Sequence, residues 1–308
     1  MKERIEKILS MSTISEEVKK LYSDLASNPE AISRAEEICN LLYAEDRDHD
    51  IARTILYADE DEDKCLIFAL AYLLRIVSAE KTLEEKNVPK EHFKALIDIW
   101  ESMLNRSRAK YGKEGINGLY RGFIYSFMIP VRFNIGRLNF EMGYHEDGYE
   151  VYETEKGLET VLVGEEPPAG KCLLAAGDPI LRVHIPAKGR LVPELADAAF
   201  EEAKEFFAKY YPEHKWKTFV CSSWLLDQNL QKVLKPDSNV LKFQNRFTIG
   251  NNAENNMSLC WHVFGIDAFL SPEELTPKND FQERILNYVK AGNKLQSGKG
   301  FIAEALKR

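Results

Sequence analysis

LRVHIPAKGRLVPELADAAFEEAKEFFAKYY (residues 181–211) says most about how this chain folds. Alternating apolar residues in LRVHIP predict a strand that ends at Pro186. The basic turn AKGR follows, and Pro193 then opens a helix in the position proline favours. Its expected apolar face is Leu195, Ala199, Ala203, Phe206 and Phe207, with Pro212 as the stop. A second strand with a polar end comes next, TFVCSSWLLDQNL (218–230), and then SNVLKFQNRF (238–247). Strand, basic glycine turn, helix and strand in this order aim free backbone N–H groups at an anion such as a phosphate.

Away from this stretch the chain carries no Walker lysine loop, no GxGxxG and no zinc-ligand spacing. The 308 residues suffice for one large domain or two ordinary ones, and 44% hydrophobic with 29% charged residues is a globular composition. A net charge of −8 excludes a broad nucleic-acid footprint but leaves room for one local basic pocket. Cys39, Cys65, Cys172, Cys221 and Cys260 are widely spaced with no CxxC, which reads as reduced thiols of a cytoplasmic protein. The opening MKERIEKILSMSTISEEVKK is charged and amphipathic rather than a signal peptide. The most apolar run, CLIFALAYLLRIV (65–77), contains Arg75 and is too short to cross a bilayer, so a buried helix and no membrane partner are expected.

The first 115 or so residues read as helical. Ile14, Val18, Leu21, Tyr22 and Leu25 share one face, and Ile32, Ala35, Ile38, Cys39 and Leu42 repeat the pattern. Pro89 suits the first turn of a further helix with Phe93, Ile97, Trp100 and Leu104 at helical spacing, and the acidic run 59–63 either is a solvated turn, the more ordinary reading, or caps or precedes the buried helix. Gly112, Gly115 and Gly118 thin the helical signal. From RLNFEMGY (137–144) onward the pattern alternates, with Leu138, Phe140 and Met142 on one face and Asn139, Glu141 and Gly143 on the other. Strand pieces meeting at Gly157, and strands at 178–186, 217–225, 239–248 and 257–264, are expected. IGNNAENNMS (249–258) reads as a turn, and the last thirty or so residues as a helix and a basic tail. The sum is α+β: an all-helical domain over 1–132, followed by a mixed-sheet α/β domain over 133–308.

Several residues are candidates for chemistry. Lys188, Gly189 and Arg190 with the helix N-terminus would suit a diphosphate, although an ordinary β-to-α connection with solvent-facing basic residues has the same pattern. His184 at a strand end can act as a general base or be a structural histidine. Glu141 could do the same through a water, or form an ion pair with Arg137 or Lys242. Cys221 could be a nucleophile if a base lowered its pKa, or a buried free thiol. Ser222 and Ser223 could donate a proton or bond backbone. Asp227 suits a helix N-cap, and Asn229 could reach a ligand. His145, His214 and His262 are too scattered to argue for a metal.

GRLNFE (136–141), VHIPAKG (183–189), FVCSSWLLDQNL and SNVLKFQNRF together resemble bacterial N-acyltransferases built from a helical N-terminal domain and a GNAT-like C-terminal domain. The resemblance covers nearly the whole chain. It implies a mixed sheet splayed between two central strands, 180–185 and 217–223, with CoA or acyl-CoA as donor and no metal. It further implies that the thioester lies along Val183, His184 and Ile185. The diphosphate would sit on the turn 186–192, including Lys188, Gly189, Arg190 and Leu191, with Asn229 beginning the next helix. The acceptor implied is a small-molecule amine, which takes an acyl group, expected to be acetyl, directly, in a monomer or homodimer. His184 or Glu141 would take the amine proton, and Ser222, Ser223 or Cys221 would protonate the thiolate. The usual Gln/Arg-x-x-Gly-x-Gly/Ala loop is reduced here to Gly189 with its basic flanks, and no tyrosine stands at 229–236. A non-catalytic CoA- or ligand-binding module on the same fold is the alternative.

Overall fold

The computed structural model describes residues 1–43, 62–118, 120–121, 131–186, 189–254, 259–265 and 270–307. Two compact units divide it, Met1–Phe133 and Asn134–Arg308. The first is built on helices α1 (Lys2–Met11), α2 (Glu16–Leu25), α3 (Pro29–Tyr43), α4 (Glu62–Glu85) and α5 (Lys90–Tyr111). The CLIFALAYLLRIV run lies within α4, where Cys65 and residues 67–74 are all buried, as a helix apolar on nearly every side requires. Trp100 of α5 donates its indole N–H to Ala69 O at 3.0 Å and meets Tyr22 edge-to-face. The glycines after α5 have separate causes. Gly112 ends the helix in the left-handed conformation, and Gly115 sits so close to Cys65 that a Cβ would come within 2.4 Å of its carbonyl carbon. Of the acidic run 59–63, residues 59–61 lie outside the described residues.

The second unit holds a six-stranded sheet in the order β1-β2-β6-β7-β9-β8 and a three-stranded sheet in the order β4-β3-β5. The strands are β1 (Arg132–Ile135), β2 (Leu138–Tyr144), β3 (Tyr149–Thr154), β4 (Gly157–Leu162), β5 (Lys171–Leu174), β6 (Pro179–His184), β7 (Phe219–Ser223), β8 (Thr248–Glu254) and β9 (Gln296–Phe301). Helices α6 (Pro193–Tyr210), α7 (Asn239–Gln244) and α8 (Asp280–Lys290) complete it. One face of the large sheet carries Phe140 and Phe219, which pack edge-to-face with Phe200 of α6. The other face carries Ile180, Val220 and Phe301 under Tyr149, Val151 and Leu174 of the small sheet. Burying aromatic and aliphatic side chains contributes roughly 1.5–3 kcal/mol each, so these two layers fix the sheet on both sides.

Five sequence expectations are corrected. Leu195 of α6 is 53% exposed, and its place in the buried face is taken by Ala196 and Phe200. Residues 239–244 form α7 rather than a strand, because Ser238 caps the helix by accepting from Val240 N and Leu241 and Phe243 turn inward. IGNNAE is not a turn but most of edge strand β8, and the basic tail contains the inner strand β9. The described part of 257–264 is a π-helical turn, Leu259–Phe264, which buries Leu259, Cys260 and Val263 in a satellite core with α8.

Candidate active site

The parallel neighbours β6 and β7 pair at only two positions, Leu181 with Phe219 and Arg182 with Val220. Beyond these, Val183 and His184 on one strand and Cys221–Ser223 on the other continue without pairing each other. With no pairing past Arg182 and Val220, the two strands leave a gap in the ladder toward their C-terminal ends, the candidate cleft. Each arm keeps its other partner. Val183 and His184 stay in register with Phe140 and Asn139 of β2, while Cys221, Ser222 and Ser223 stay in register with Gly300, Lys299 and Gly298 of β9.

One wall of the cleft carries two residues that the sequence singled out separately. His184 Nε2 lies 2.7 Å from Glu141 Oε2, both side chains about a quarter exposed. A carboxylate only accepts, so Nε2 carries the proton and Nδ1 is the acceptor nitrogen of the neutral ring. Counting by twos from the last pair places Ser222, exposed, on the same face as His184. Beside them Arg182 donates to both oxygens of Asp147 at 3.1 Å and to Tyr144 O. Burial pushes the Asp147 carboxyl upward, but His145 and Arg182 outweigh it and hold the group down to about 2. Lys299 Nζ and Asn251 Nδ2 donate to Asp147 O, which ties β8 and β9 to the same corner.

The remaining candidates fall into different settings. Cys221 is 1% exposed, and burial pushes its thiol up to about 12, so it holds no thiolate at neutral pH. Ser223 Oγ accepts from Leu225 N and thereby caps the 3₁₀ turn Trp224–Leu226. Asn229 sits in the turn Gln228–Lys232, its N–H on Asp227 Oδ1 and its side-chain oxygen accepting from Lys232. Asp227 is fully buried and also accepts from Gln296 N at the start of β9. Val183 is buried, Ile185 half-buried, Leu191 buried, and Gly189 and Arg190 are exposed on the turn beyond β6. Lys188 lies outside the described residues.

That turn suits an anion. Gly189 has φ 86°, and a Cβ there would meet only Arg137 Nε, at 3.9 Å. Val192, the N-cap of α6, supplies no side-chain cap bond, so the first N–H groups of an 18-residue helix face outward unsatisfied by any cap. Arg246 braces the helix start by donating to Asp197 and to Pro193 O. Sequence reading offered Arg137 only as an ion-pair partner for Glu141, but its guanidinium donates to the carbonyls of Pro186, Gly189 and Arg190, each at 3.0 Å. It missed Asp147. The partners of Arg137, and Arg182 as partner of Asp147, lie 35 or more residues away, beyond any local pattern.

Comparison with known proteins bears on the fold. No curated protein matches the sequence. Among solved structures, an acyltransferase mutant in complex with octanoyl-CoA superposes with a TM-score of 0.68 at 19% identity, over 97% of this chain and 87% of that one. An acyltransferase in complex with decanoyl-CoA gives 0.63 at 17% identity, over 97% and 85%. Another, with decanoyl-CoA and teicoplanin, gives 0.60 at 19%, over 98% of each chain. These likenesses establish a shared fold along nearly the full length, helical first unit included. Residues 132–302, more than half the chain, match the GNAT-like C-terminal domain, and the protein therefore belongs to the family that carries this domain.

Proposed function

We propose that this protein is an acyl-CoA-dependent N-acyltransferase that moves an acyl group directly from the thioester to an amine. The observation that carries the reading is the opened β6/β7 pair, with the Glu141–His184 pair on one wall and the uncapped start of α6 beyond it. In the step itself the amine nitrogen forms the new C–N bond and the C–S bond breaks. The amine loses its proton to His184 Nδ1, directly or through a water, and the departing thiolate gains one from the Ser222 side of the cleft or from solvent. Glu141 orients the ring and offers the opposite charge to the imidazolium that forms. Holding donor and acceptor in one cleft supplies most of the acceleration. Cys221 takes no part, because its buried thiol has neither the charge nor the access of a nucleophile.

Medium-chain donors take precedence over acetyl in this proposal, since the solved structures that share the fold hold octanoyl- and decanoyl-CoA. The test is release of free CoA thiol from acetyl-, octanoyl- and decanoyl-CoA in the presence of a panel of primary amines. Turnover fastest with the eight- and ten-carbon donors is the expected result. Acetyl as the best donor would overturn the chain-length part alone. Binding of CoA without thiol release from any donor would leave the protein a CoA-binding module, the reading that the shortened loop motif around Gly189 favours.

A further inference from the structure

We propose that Arg137 is a positioning residue for the donor, a strut that turns residues 189–191, just ahead of α6, so that their amides face the diphosphate. The inference rests on the reading of that loop and the start of α6 as the diphosphate site. Arg137 occupies the β1–β2 turn, far from the loop in sequence, and gives the loop three of its donors: Nε to Arg190 O, and Nη2 to Pro186 O and Gly189 O. A peptide plane points its C=O and the following N–H in opposite directions. Fixing the carbonyls of Gly189 and Arg190 on the guanidinium therefore turns the N–H groups of Arg190 and Leu191 to the opposite side. Those two amides have no partner among the described residues, and they run on into the uncapped first turn of α6.

Two further features make the strut rigid and electrically useful. Gly136, with φ 55°, lets the turn lie against α6, where a Cβ would come 3.2 Å from Ala199 Cβ and 3.5 Å from Glu202 Oε2. The platform from which Arg137 reaches is thus seated on the same helix whose N-terminus would receive the anion. Among the described residues the guanidinium bonds carbonyls and forms no ion pair, and its Nη1 is buried with no partner. No carboxylate is paired with its positive charge there, and a diphosphate in front would supply a counter-charge. In this chain the function of the missing loop residues, orienting a row of amides, is supplied from outside the loop. Arginine suits the role because its planar fork holds several carbonyls at once, which a lysine cannot do.

The experiment uses the full-length protein and the variants Arg137→Ala and Arg137→Lys. Each is checked for native near-ultraviolet dichroism and then titrated with CoA by calorimetry and assayed with octanoyl-CoA. Losing several loop hydrogen bonds and a local charge should raise the CoA dissociation constant and the KM for octanoyl-CoA by about tenfold or more in Arg137→Ala. The kcat at saturating donor should change less than twofold, because such binding is shared by ground and transition states. Arg137→Lys keeps the charge without the fork and should fall between. Wild-type affinity in either natively folded variant would overturn the proposal. So would a fall in kcat equal to the rise in KM, which a loosened fold produces. If wild-type protein binds no CoA, or if Arg190→Glu leaves its affinity unchanged, the reading of the loop itself fails and Arg137 with it.

Discussion

Glu141 and His184 are diagonal neighbours on adjacent antiparallel strands, since Glu141 registers with Arg182 and His184 with Asn139. Their 2.7 Å contact makes a sharp expectation. A general base contributes roughly 10²–10⁴-fold to such a reaction. His184→Ala should therefore cut kcat by about that factor while CoA affinity stays within about threefold. Glu141→Gln keeps a hydrogen-bond acceptor but removes the charge, so it should lose less and shift the pH profile of kcat/KM. Full turnover in His184→Ala would remove the ring from the mechanism. In the same assay Cys221→Ala should retain kcat within about twofold, because a thiol pushed up to about 12 supplies no thiolate near neutrality; a large loss with normal melting would revive a covalent route. The candidates were visible singly as polar positions in alternating strands. Their contact was not, because it spans 43 residues and depends on which strands pair.

Elements were misread where local pattern and tertiary setting disagree. SNVLKFQ alternates well enough for a strand, but the Ser238 cap and the inward Leu241 and Phe243 make it a helix. Gly298 and Gly300 made QSGKGF look like a tail. In β9 they are required by close neighbours, since Cβ atoms there would come 2.4 Å from Leu226 O and 2.9 Å from Thr248 O. The Asn-rich β8 lies at the sheet edge, where polar side chains are an advantage. The joint between the loop after β2 and strand β6 carries its own prediction. Asp147 titrates at about 2 in the folded protein, below the ordinary carboxylate value, so its contribution is complete above about pH 5 and is lost as pH falls toward 2. A shift of this size corresponds to about 2 kcal/mol. Asp147→Asn should lower stability by that order at pH 7 in urea denaturation, and the gap from wild type should close near pH 2–3. A gap that stays constant with pH would show that the ion pair with Arg182 and His145 is not its source.

For the molecule as a whole, binding of CoA to the folded state alone must stabilise it by mass action. At one hundred times the dissociation constant the gain is about 2.7 kcal/mol. Melting of the full chain should therefore rise with CoA concentration, and a flat response under conditions where calorimetry detects binding would mean that the unfolded chain binds as well. Periodicity alone carries the two-part plan, an apolar helical region followed by alternating strands around one strong amphipathic helix, because spacings of 3.6 and 2 record which face each element buries. The glycine turn ahead of α6 is legible in the same way, since turn chemistry is local. That the β6/β7 pairing stops after two positions, that Glu141 meets His184, and that Arg137 bonds carbonyls some fifty residues away come from the folded arrangement alone. Those facts depend on strand order and register, which arise from long-range packing and leave no periodic trace in the chain.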